Sequence, residues 1–110
     1  MKDELNKLIK FISENLVFDE KAYPELKNVD EEKRLLFALK HSALHFSKTA
    51  GKIAEVNERI DHGKEANSDE LKSNVSKALI NTLRLAELVG ITGDDLIQAI
   101  ENKYNKKLPG

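Results

Sequence analysis

An uninterrupted helical pattern from Asp30 to Ile60 constrains this chain more than any other feature. Apolar residues recur at Leu35, Leu36, Leu39, Ala43, Leu44, Phe46, Ala50, Ile53, Ala54, Val56 and Ile60, mostly at steps of three or four. That spacing predicts one long helix with an apolar stripe. No proline interrupts it, and Gly51 is its only glycine. Asp30 is placed to cap the first turn, with Glu31 and Glu32 at the positive end of the helix dipole. The stripe is wide, as in a helix buried on more than one side. Within it His41, His45, Thr49 and Lys52 recur about one turn apart. A helix that buries polar groups has to give them partners, so function is expected on that face.

Around this helix the sequence predicts three more. Asp3 to Val17 is amphipathic, with Leu5, Leu8, Ile9, Ile12 and Leu16 on one side. A break follows from Phe18 to Val29, where Pro24 biases Tyr23 away from helix and Asn28 favours a turn. Asp61-His62-Gly63 ends the long helix, and Lys64 to Asn67 is a short polar loop. Ser68 is expected to cap a third helix, with Asp69 and Glu70 in its first turn, running to about Val89 before Gly90. Thr92-Gly-Asp-Asp95 resembles a capping box with Asp in the Glu position, opening a fourth helix from Asp94 to about Lys106. The tail after it, ending in Gly110, is polar. No segment shows strand alternation, and there is no repeat.

The expected fold class is therefore all-α, a four-helix bundle in a single domain over residues 1–110. The two long helices are apolar over a wider arc than the short first and fourth helices can cover. A homodimer or higher homo-oligomer is expected to complete the core. With 40% hydrophobic and 34% charged residues the chain is globular rather than disordered. A net charge of -1 makes no electrostatic case for nucleic acid or an anionic membrane. The chain has no cysteine, which excludes disulfides, thiolate metal sites and thiol catalysis. Nothing reads as a signal peptide, and no window approaches the roughly 20 apolar residues of a membrane span. A cytoplasmic protein is the expectation.

Two blocks carry a resemblance. The first is His45-Phe-Ser-Lys-Thr-Ala-Gly-Lys-Ile-Ala-Glu55. The second is Asn74-Val-Ser-Lys-Ala-Leu-Ile-Asn-Thr-Leu-Arg-Leu-Ala-Glu-Leu-Val-Gly-Ile91, followed by Asp94-Asp-Leu-Ile-Gln-Ala-Ile and Lys103. Over residues 33–107 the chain resembles the MazG-like, all-α nucleotide pyrophosphohydrolases. The resemblance implies a MazG-like bundle and cleavage of an NTP to NMP and pyrophosphate. That family relies on E-x-x-E on one helix and E-x-x-D on the next, whose carboxylates hold Mg²⁺. In this chain the first pair falls on Thr49 and Lys52 and the second on Asn74 and Lys77. None is acidic, and an ammonium group cannot ligate Mg²⁺. The resemblance thus implies a scaffold without its catalytic site, and no cofactor is expected.

Three sets of side chains remain as candidates. Lys48, Lys52, Lys77, Asn81, Arg84 and the family-matched Lys103 can bind a nucleotide or phosphate directly, or can pair with neighbouring acids, the commoner case. Glu55, Glu58 and Glu70 would meet at the turn of an antiparallel hairpin. They form a replacement acid cluster, with Mg²⁺, if the chain is an active pyrophosphohydrolase, and a solvated charged end otherwise. His41 and His45 stand at i, i+4, a weak metal signal without further ligands. A helical assembly protein with no small-molecule ligand is the third alternative.

Overall fold

The computed structural model describes residues 2–65 and 67–109. It is all-helical, with no strand among those residues. In chain order the elements are α1 (Lys2–Asn15), a 3-10 turn (Pro24–Leu26), α2 (Glu31–Asp61), α3 (Ser68–Leu88) and α4 (Gly93–Tyr104). Ala66, in the expected loop before α3, and the terminal Met1 and Gly110 lie outside the described residues.

The helix ends follow from local chemistry. Asp30 caps α2, its carboxylate accepting from the Lys33 amide at 2.8 Å. Beyond the far end of α2, Gly63 adopts φ +79°, the left-handed conformation that favours glycine. The cap of α3 is Asn67 rather than the expected Ser68: its side-chain oxygen accepts from the Glu70 amide at 3.1 Å, and Ser68 becomes the first helical residue. Thr92 and Asp95 form the reciprocal capping box that opens α4. The two Thr92 hydrogen bonds, the backbone one first, hold the Asp95 carboxyl below its ordinary pKa. Helices α1 and α4 each stop about two residues short of their expected ends.

α2 and α3 form a long antiparallel hairpin, α1 packs on α3, and α4 packs on α1. The apolar core lies where α1, α3 and α4 meet. Ile9, Ile12 and Leu83 are buried there, with Leu5, Leu8, Ile80 and Leu96 around them. Asn6 of α1 reaches the start of α4, where its side-chain oxygen accepts from the Gly93 amide at 2.9 Å. A Cβ at Gly93 would lie 2.5 Å from that oxygen, so a larger residue there would displace the Asn6 side chain.

The hairpin seam is different. The buried residues of α2 are Ala38, Ser42, Thr49 and Val56. Ser42, Thr49 and Val56 follow at heptad spacing, as in a narrow two-helix seam. α3 meets them with Asn74 and Asn81, also buried. Within one chain much of the wide apolar arc is left open. Leu36 and Leu44 are each 60% exposed, and Val75 on α3 is 52% exposed. One neighbouring helix covers one side of α2 and leaves the rest of the stripe bare. The radius of gyration is 16.7 Å, against about 13 Å for a compact domain of this length. The accessible surface is 8372 Å², where a compact monomer of this size exposes about 6,100 Å².

Candidate functional site

The positions that correspond to the family's acidic pairs split by environment. Thr49 and Asn74 are buried in the seam, at 6% and 5% exposure. Lys52 and Lys77 are exposed. Arg59 donates to Glu70 at 2.7 Å across the turn, which marks the register of the hairpin. Counting away from that pair, Lys52 and Lys77 are equally distant, so they stand at the same level on neighbouring helices. Lys48 is also exposed, whereas Asn81 is buried in the seam. Two neutral side chains and two ammonium groups do not fit Mg²⁺, which takes carboxylate and carbonyl oxygens.

The other sequence candidates disperse. Glu55 and Glu58 line a groove at the hairpin turn with Arg59, His62 and Lys64. Glu70 is engaged by Arg59, and this hydrogen bond raises the guanidinium pKa above its already high ordinary value. Among the described residues, no group of three or more His, Asp or Glu is arranged to hold a metal. Lys103 lies on α4, its Nζ 5.6 Å from the Tyr104 ring centre. Arg84 stands apart from Lys52 and Lys77. It is two turns beyond Lys77 on α3, about 10 Å along the axis.

Arg84 belongs instead to a polar and aromatic cluster where the end of α1 turns over the hairpin. Its guanidinium carbon sits 4.1 Å from the centre of the Phe18 ring. Its Nη2 donates to the Leu16 carbonyl at 3.1 Å. Phe18 stacks on Tyr23 at 5.2 Å, and Phe37 stacks on His41 at 5.5 Å. Tyr23 Oη and His41 Nε2 are 3.3 Å apart, and the His41 and His45 rings are 4.3 Å apart. His41 is held below its ordinary pKa, first by burial and then by His45 and Arg84; Glu25 opposes the shift. The imidazole therefore favours its neutral form, as an aromatic member of the cluster.

Beside this cluster lies a cavity of about 290 Å³ between α1, α2 and α3. Seven of its twelve lining residues are apolar, and the rest are Ser13, Glu31, Arg34, Arg84 and Glu87. Arg34 is fixed through Nη2 to the Leu26 and Val29 carbonyls at 3.3 and 3.5 Å. Ser13 donates to Glu87 at 3.3 Å. Of the charged members only Arg84 is singled out by its sequence setting. Glu31 is expected at the positive end of the α2 dipole and Phe18 in a break, and no expectation falls on Arg34. The available signal was aromatic clustering. Phe18, Tyr23 and Phe37 are three of the chain's six Phe and Tyr residues, and they fall within twenty positions.

Searches of protein-family models, of curated proteins and of solved structures give no match to this chain.

Proposed function

We propose that this chain is a divergent MazG-like protein that does not hydrolyse nucleotides through a Mg²⁺ site, and that works as a nucleotide-binding, regulatory or interaction module built from two copies. The observation that carries this is the seam at Thr49 and Asn74. Where the resemblance calls for carboxylates, two neutral side chains are buried between the helices, and lysines stand beside them. Such a site repels Mg²⁺ and is compatible with direct contact of Lys52 and Lys77 to phosphate. Assembly from two copies is supported by surface. The chain exposes 8372 Å², roughly 2,000 Å² more than a compact monomer. An excess of that size is in the range that obligate dimers bury.

The test is pyrophosphate release over the common NTPs and dNTPs with Mg²⁺ or Mn²⁺, alongside thermal shift with the same nucleotides. The expected result is no turnover and a raised melting temperature with at least one nucleotide. Metal-dependent turnover abolished by Glu55→Gln or Glu58→Gln would overturn the proposal in favour of an enzyme with a relocated acid cluster. The absence of any shift would remove nucleotide binding and leave an assembly role.

A further inference from the structure

We infer that the cavity between α1, α2 and α3 binds a small organic acid with an apolar body and a single carboxylate, held by Arg34 and Arg84. This is independent of the MazG-like proposal, which concerns Lys52 and Lys77 on another stretch of the hairpin.

Three observations support it. First, both guanidinium groups are held in place without being neutralised. Their Nη2 atoms are taken by backbone carbonyls, and the ring of Phe18 lies under Arg84. Glu31 and Glu87 line the same cavity, yet neither arginine forms an ion pair among the described residues. Second, each guanidinium has five N–H donors, of which the Nη2 contacts use only part, and a carboxylate is the ligand group that guanidinium forks match best alongside phosphate. Third, much of the remaining lining is apolar, formed by Ile12, Leu16, Val17, Leu35 and Leu88, of which Val17 and Leu35 are partly exposed. A volume of about 290 Å³ is at the lower end for small-molecule pockets.

Charge balance selects the head group. Two arginines and two glutamates line the cavity, so it is near neutral before ligand arrives. A monoanion gains both guanidinium groups while facing the two glutamates with one charge. A phosphate dianion meets the same carboxylates with twice the repulsion.

The experiment is a ¹H–¹⁵N NMR titration of the whole chain with hexanoate, its neutral amide hexanamide, and inorganic phosphate, following the arginine Nε–H resonances. The expected result is a saturable shift of the Arg34 and Arg84 signals by hexanoate, binding about tenfold tighter than hexanamide and tighter than phosphate. Arg84→Lys keeps the charge but loses the fork, and should weaken hexanoate about tenfold and hexanamide by much less. Should that variant not fold, the acid–amide comparison on the unaltered chain decides alone. Equal affinity for acid and amide, no saturable binding at millimolar hexanoate, or phosphate binding as tightly as hexanoate would each overturn the proposal.

Discussion

Helix α3 borders two different kinds of interior. Against α1 its Leu83 joins Ile9 and Ile12 in an apolar junction. Along α2 it contributes Asn74 and Asn81 to a seam that also buries Ser42 and Thr49. The junction draws on three helices and closes over itself. The seam has only two helices, and the apolar residues on its outside remain in water. Large apolar side chains thus fill the junction, while the seam mixes small apolar residues, Ala38 and Val56, with polar ones. A helix pair of that kind is stable when another layer covers it.

Substitutions can break this contrast or sharpen it. Ile12 is 2% exposed, and Ile12→Ala should cost about 2–5 kcal/mol in urea unfolding. A loss well below that range would mean that the junction is not the stabilising interior. Ser42 is fully buried and its hydroxyl has no partner among the described residues. Ser42→Ala should therefore be neutral or stabilising by up to about 1 kcal/mol, because it deletes an unmet polar group. Marked destabilisation would show that the hydroxyl has a partner in the assembled protein.

The smallest effect is expected from pH. His41 titrates below its ordinary value near 6.5 in the folded chain. The unfolded chain therefore takes up the proton first as pH falls. The His41 contribution is complete above about pH 6.5 and is lost as pH drops through the lower folded value. Melting temperatures between pH 7.5 and 5 should fall, and His41→Gln should flatten part of that slope. An unchanged slope would separate His41 from the stability of the aromatic cluster.

Features decided by neighbours in sequence were legible beforehand. The Asp30 cap, the Thr92–Asp95 box and the turns at Gly63 and Gly90 each need only a few adjacent residues. The cap of α3 shifted by one residue because Asn67 and Ser68 are both good caps and the sequence does not rank them. The stripe on α2 was visible as a periodicity, but periodicity says which residues share a face and not what covers them. Leu36 and Leu44 are therefore bare within one chain. The cavity was invisible for a related reason. It depends on Leu16 and Phe18 returning over Arg84, a meeting of residues 68 apart in the case of Leu16. Of its charged members only Arg84 stood out, and it was grouped with lysines that lie elsewhere on the hairpin.

The clamp between Asn6 and Gly93 has a consequence for synthesis. It joins residues 87 apart, and the other partners of α1 also lie late in the chain. During translation α1 is made before α3 and α4 and stays without its partners until they follow. The α2–α3 hairpin, whose contacts are closer in sequence, can zip up while α4 is still in the ribosome. The apolar junction then closes after the hairpin, and the Asn6–Gly93 hydrogen bond forms only once Gly93 is out.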